Sequence, residues 1–213
     1  MKPLSLVILM LVTLLSLSHS NAGEPLRLEA SAGLTFMETS QKLFSNWTTA
    51  WTVGGRVAYP LSPVFEIGAS LFYHQFPYRG DNSTLELAFP AIAGLRWRVD
   101  GKPTNLYEAA LEARFTSSTS IFRPFMTIRG GVYFINLGQI LVTTWFEGTS
   151  QNLSSAPYRG TGESFARGFG AFGGGFKLAL DSNFQFGLEG RFTATFDGSY
   201  EFMPVVGTLE LLL

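Results

Sequence analysis

Cysteine is absent from all 213 residues, which excludes a disulfide scaffold, a thiolate metal site and a cysteine nucleophile. Charge is scarce and balanced: 15% of residues are Asp, Glu, Lys or Arg, with 15 basic against 16 acidic and a net of −1. That balance leaves no basic footprint for nucleic acid. Histidine is nearly missing too, with only His19 and His74. No cluster with metal-ligand spacing exists, so neither a metal nor a cofactor is expected. Long apolar runs are also lacking. The one candidate, Leu4–Leu17, spans fourteen residues, short of the ~20 that a membrane-crossing helix needs.

What is abundant is phenylalanine (20) and glycine (23). The apolar run follows Lys2 and precedes Ser20 and Ala22, small residues at −3 and −1 of a cleavage site, so residues 1–22 read as a secretory signal peptide. No cysteine comes after it to carry a lipid. The mature domain would be residues 23–213, with His74 its only histidine.

Within that domain, side chains alternate with period two. Leu26, Leu28, Ala30, Ala32, Leu34 and Phe36 oppose Arg27, Glu29, Ser31, Gly33 and Thr35. Trp51, Val53, Gly55, Val57 and Tyr59 oppose Thr52, Gly54, Arg56 and Ala58; Phe65, Ile67, Ala69, Leu71 and Tyr73 oppose Glu66, Gly68, Ser70, Phe72 and His74. The segments 85–99, 122–135, 172–180, 184–196 and 205–213 repeat the pattern. Twelve charges (Arg27, Glu29, Arg56, Glu66, Glu86, Arg96, Arg98, Arg129, Lys177, Glu189, Arg191 and Glu210) all occupy the polar phase. Alternating apolar and polar positions over ~10-residue segments are the signature of a transmembrane barrel, apolar outward and polar inward. Closure is required, because an open sheet edge leaves unpaired backbone groups in lipid. Trp51, Tyr59, Tyr73 and Trp97 fall near strand ends, where interfacial aromatics gather. The fold expected is therefore an all-β, closed, antiparallel up-and-down barrel.

Turns at Pro60–Pro63 and Asp181–Asn183 are tight and would be periplasmic; residues 38–47, 76–84 and 147–163 would be extracellular loops, with Trp47, Tyr78, Trp145 and Tyr158 as contact residues. Residues 100–121 are ambiguous. Tyr107, Ala109, Leu111, Ala113 and Phe115 alternate with Glu108, Glu112 and Arg114, yet Leu106, Ala110, Leu111 and Phe115 also have near-helical spacing. Read as a periplasmic excursion, the segment leaves eight strands; read as a strand, it demands a partner at Ile140–Phe146 and gives ten.

The run Arg123-Pro124-Phe125-Met126-Thr127-Ile128-Arg129-Gly130-Gly131-Val132-Tyr133-Phe134 resembles an ascending strand of the small OmpA/OmpX/OmpW-like outer-membrane β-barrel domains. Gly173-Gly174-Gly175-Phe176 and Phe186-Gly187-Leu188-Glu189-Gly190-Arg191-Phe192 resemble the glycine-rich penultimate hairpin of that superfamily. The C-terminus departs from the pattern, ending Leu211-Leu212-Leu213 where an aromatic is usual. The resemblance implies eight strands, a Gram-negative outer-membrane location and a cell-envelope role. It also implies outer-membrane lipid and the barrel-assembly machinery as partners.

Catalytic motifs are thin. Gly168–Gly173 has the form G-x-G-x-x-G, but residues 176–181 alternate as a strand and not as the helix that a dinucleotide site needs. Ser70 lies four residues from His74 on one strand, ~13 Å away, beyond hydrogen-bond reach. An enzyme would need His74 to touch a Ser or carboxylate from a neighbouring strand. The polar phase holds seven basic and five acidic side chains, and the interior of an eight-stranded barrel is only wide enough for side chains to fill. These features favour a non-enzymatic barrel with a charged, plugged lumen. It would act through envelope anchoring and its loops on an extracellular ligand that the sequence does not identify. The alternatives are a porin-like channel for small solutes or ions, leaning toward anions, and a lipid-modifying barrel enzyme.

Overall fold

The computed structural model describes residues 26–38, 47–79, 94–117, 121–148, 154–157, 161–181 and 183–213. The signal segment 1–22, Glu86, Tyr158 and most of loop 38–47 lie outside the described residues. Eleven strands are present among the described residues: β1 (Arg27–Glu38), β2 (Ala50–Ser62), β3 (Phe65–Phe76), β4 (Leu95–Gly101), β5 (Thr104–Thr116), β6 (Phe122–Asn136), β7 (Ile140–Phe146), β8 (Ser154–Pro157), β9 (Ser164–Ala179), β10 (Phe184–Thr195) and β11 (Glu201–Leu212). Eight of them close a barrel in the order β1-β11-β10-β9-β6-β5-β3-β2, while β4, β7 and β8 form a separate three-stranded sheet. All barrel pairings are antiparallel, and the first and last strands close it along their whole length, from Arg27↔Leu212 to Glu38↔Glu201.

The eight-strand count holds, but its membership differs from the expectation. Residues 104–116 are a wall strand, paired with β3 and β6. The latter part of the 85–99 segment leaves the wall and pairs with β7. The near-helical spacing in residues 106–115 has no structural counterpart. The break in the 85–99 run falls at Gly94. Gly94 adopts φ 80°, a turn conformation, immediately before β4.

One end of the barrel carries short turns, the other long connections. Asp181 Oδ1 accepts from the backbone N–H of Asn183 at 2.7 Å and of Phe184 at 2.8 Å, fixing the β9–β10 turn. The first short turn lies one step later than Pro60–Pro63 suggested: Pro60 is still in β2, at a register shift between Pro60 and Ser62. At the opposite, loop end the β4-β7-β8 sheet folds over the mouth.

The wall is inside out relative to a water-soluble sheet. Large apolar side chains point outward from every barrel strand, including Leu111 at 59% exposure and Met126 at 70%. Inward positions hold Glu, Arg, Lys and Thr that are almost wholly buried. A continuous apolar exterior of this extent marks a membrane-facing surface. Leu111→Arg, mid-wall on β5, is expected to destabilise the barrel by ~2–4 kcal/mol when folded in phospholipid vesicles. Thr143→Arg on β7 should change stability by less than ~0.5 kcal/mol. Denaturant titration of both variants in vesicles measures the difference.

Candidate functional site

The lumen has two storeys. Toward the turn end, all eight wall strands contribute ionised side chains. Arg114 of β5 is the hub: Nη1 donates to Glu29 Oε2 at 2.8 Å and Nη2 to Glu189 Oε2 at 3.0 Å. Its guanidinium also lies 4.4 Å from the Phe125 ring centroid. Arg56 bridges Glu66, at 2.7 Å, and Glu112. Arg129 reaches Glu112 at 2.7 Å and Glu189 at 2.8 Å. Lys177 pairs with Glu210, and Arg27 with Glu66 at 2.9 Å. Higher up, Arg191 sits 3.4 Å from Glu108 and 4.4 Å from the Phe72 ring centroid.

The packing depends on missing Cβ atoms at specific inward positions. A side chain at Gly54 would strike the Phe72 ring, and one at Gly173 would come within 2.8 Å of Arg191 Cγ. Glycine there admits the larger neighbour.

The structure rearranges the expected charge set. Nine of the twelve named residues (Arg27, Glu29, Arg56, Glu66, Arg129, Lys177, Glu189, Arg191 and Glu210) face the lumen together. Arg96 and Arg98 do not: on β4 they are solvent-exposed, at 58% and 69%, and pair with Glu147 and Asp100, each at 2.8 Å. Glu86 lies outside the described residues. Glu108, Glu112 and Arg114 join instead, because β5 replaces the 85–99 segment in the wall. Among the residues joined in the ion pairs named here, the balance shifts from seven basic and five acidic to six and six, with Arg123 also on the inward phase of β6, opposite Lys177.

The upper storey is aromatic. Tyr133 stacks on Phe169 at 4.1 Å and meets Phe202 edge-on at 5.3 Å. Phe76, Leu106, Ile135 and Tyr200 complete the cluster, joined from the loops by Trp47, Leu137 and Ile140, with Trp97 and Val99 packed against it. Trp97 is therefore part of this cap and not of an interfacial girdle. Trp47, an expected loop contact, is 6% exposed and donates from Nε1 to Lys102 O at 3.2 Å. Tyr78 packs against it edge-on. Trp51 and Tyr73 face outward at the loop end, and Tyr59 is half-buried on β2 toward the turn end. Trp145 is half-buried on β7, opposite Arg96.

Between the storeys lies His74, 1% exposed. Its Nδ1 is 2.8 Å from Thr35 Oγ1 and 2.9 Å from Thr52 Oγ1, and its Nε2 is 3.4 Å from Glu108 Oε2. The histidine thus does touch a carboxylate from a neighbouring strand, the contact an enzyme would require. Ser70 is not its partner; Ser70 Oγ accepts from Arg129 at 3.4 Å. The signal that could have found this site was the inward phase shared by His74 and Glu108, visible once 104–116 is placed beside β3.

No family model matches the sequence, and no curated protein matches it. Solved structures match in shape. Neisserial surface protein A aligns over 88% of this chain and 97% of its own, with 11% identity and a TM-score of 0.51. Ail, the attachment invasion locus protein of Yersinia pestis, aligns over 90% of this chain and 100% of its own, with 10% identity and a TM-score of 0.51. A second Ail structure, in complex with the heparin analogue sucrose octasulfate, gives 10% identity and 0.50. What is shared is the fold, the small eight-stranded outer-membrane barrel.

Arg114→Met should cost ~3–5 kcal/mol, since it removes the nearest counter-charge of buried Glu29 and one of the cations shared by Glu189. Adding Glu29→Gln should recover part of the loss. Unfolding of the single and double variants in vesicles, as a mutant cycle, reads the coupling.

Proposed function

We propose that this chain resides in the outer membrane of a Gram-negative bacterium as a non-conducting, non-enzymatic barrel that holds a rigid platform outside the cell. What supports the reading is the ion-paired lumen, in which six cations meet six carboxylates beneath the Tyr133–Phe169–Phe202 cluster. Ion permeation would require opening paired charges inside a low-dielectric enclosure, a step costing several kcal/mol per ion.

The platform is the β4-β7-β8 sheet. Its apolar side, Trp97 and Val99, packs onto the cap, while Arg96, Arg98, Asp100 and Thr143 face solvent. Strand hydrogen bonds fix these groups at the mouth, as a recognition surface requires. Ail, a neighbour in fold, is seen bound to a heparin analogue, which supports a loop-borne role of the same general kind here.

The His74–Glu108 contact does not make the chain an enzyme in this reading. Thr35, Thr52 and His74 are each 1% exposed, so a substrate would have to part the aromatic cap to reach them. The imidazole is held from its Nδ1 side by Thr35 and Thr52, as a buried polar ring requires.

Recording from refolded protein in planar bilayers tests the sealed lumen. No unitary conductance is expected from the wild type, and steady ion-selective channels would overturn the reading. Tyr133→Ala combined with Phe202→Ala, which thins the cap, is expected to leave the ionic storey sealed and the membrane silent.

A further inference from the structure

The outer surface departs from its apolar rule near the loop end, most densely on one flank, where Asn136 of β6 also stands opposite Asn105. Along β2, β3 and β5 the outward positions are apolar until the loop end, where they read Trp51, Tyr73, Gln75, Asn105 and Tyr107. Ladder register places Trp51 opposite Gln75, Gln75 opposite Asn105, and Tyr73 opposite Tyr107. Five side chains from three neighbouring strands thus form one patch. On the far flank the outward positions at that height are Phe36 and Met203, paired with each other, with Glu201 two residues nearer the loops.

The patch is internally organised. Trp51 Nε1 donates to Gln75 Oε1 at 3.0 Å, and the Tyr73 hydroxyl donates to Asn105 Oδ1 at 2.7 Å. Gln75 Nε2 donates to the Tyr73 oxygen at 3.1 Å and to Asn105 Oδ1 at 3.2 Å. Trp51 meets Tyr73 edge-on at 5.1 Å, and Tyr107 lies 5.1 Å from Tyr73 on the other side. Two carboxamides facing outward would be costly in hydrocarbon, so they belong at headgroup depth. The Asn105 amide nitrogen makes no hydrogen bond among the described residues, and none of the five side chains is ionised.

We propose that this patch binds the uncharged sugar units of a glycolipid headgroup in the outward leaflet, an inference that rests on the membrane placement proposed above. A sugar ring offers a flat C–H face and hydroxyls that both donate and accept. Trp51 and Tyr107, 42% and 46% exposed, supply aromatic faces for the former. Primary amides, which donate and accept in one plane, supply the latter. The hydrogen bonds among Trp51, Tyr73 and Gln75 hold the patch in one arrangement before a ligand arrives, which lowers the ordering cost of binding. A phosphate headgroup would call instead for guanidinium or ammonium donors, and the patch has none.

Lipid selectivity tests the site. Protein refolded in phosphatidylcholine vesicles would be titrated with nitroxide-labelled digalactosyl diacylglycerol or identically labelled phosphatidylglycerol, reading tryptophan quenching. The wild type should favour the galactolipid by roughly fivefold, about the worth of one net hydrogen bond. Gln75→Leu with Asn105→Leu should abolish the preference, and Tyr107→Leu alone should reduce it. Heat-shifted gel mobility confirms that each variant is folded. Equal quenching by both lipids, preference for phosphatidylglycerol, or a preference surviving in the double variant would overturn the proposal. Absence of quenching by any lipid would instead overturn the membrane placement beneath it.

Discussion

Everything in this barrel answers to the confinement of charge in an eight-stranded lumen whose ionised side chains are almost wholly buried. Eight strands enclose a space that side chains alone can fill, and the outer face is given to apolar residues, so every ionised group of the wall must find its counter-charge across the axis. Each guanidinium and carboxylate there is drawn from a different strand than its principal partner: Arg114 of β5 with Glu29 of β1, Arg129 of β6 with Glu189 of β10, Lys177 of β9 with Glu210 of β11. The pairs act as ties across the barrel. They also make the interior one interdependent unit, because Glu66, Glu112 and Glu189 each serve more than one cation.

The same confinement accounts for the glycines and the aromatic upper storey. Glycine at Gly54 and Gly173 leaves volume for Phe72 and Arg191, and Phe72 then gives Arg191 a ring to lie against. Guanidinium over an aromatic face is stabilising where solvent is excluded. Toward the mouth, where the loops could admit water, ionic groups give way to Phe76, Phe169 and Phe202. The cluster covers the charges on the mouth side, and their burial strengthens the pairing.

Much of this was legible in the chain and some was not. Alternation revealed the wall, its closed form and the inward face of nine charges, because period two is imposed by the strand itself and needs no knowledge of neighbours. It did not separate two segments that alternate alike. Residues 95–101 and 104–116 both carry arginine on one phase and apolar groups on the other; only pairing tells them apart. Glu108, Glu112 and Arg114 find partners on β1, β2, β3, β6 and β10, whereas Arg96 and Arg98 find theirs beside them in the loop sheet. The placement of His74 was missed for the same reason. Its partners Thr35 and Glu108 lie 39 and 34 positions away in sequence, and nothing local to residue 74 points to them.

Burial of so many ions gives little net stability over a well-packed apolar filling. The charges do something that leucines could not: they forbid register error. Sliding any one strand by a single residue turns its inward set outward. For β5 that would put Glu108, Glu112 and Arg114 against acyl chains while burying Leu111 and Phe115 beside unpaired carboxylates. An arginine in the hydrocarbon midplane costs ~2–4 kcal/mol, and each abandoned partner inside costs about as much again. An all-apolar strand would slip at far smaller penalty, since its two faces would be alike. The paired lumen therefore selects one alignment among the neighbouring ones. That alignment in turn holds β4 and β7 at the mouth, their outer face turned to solvent.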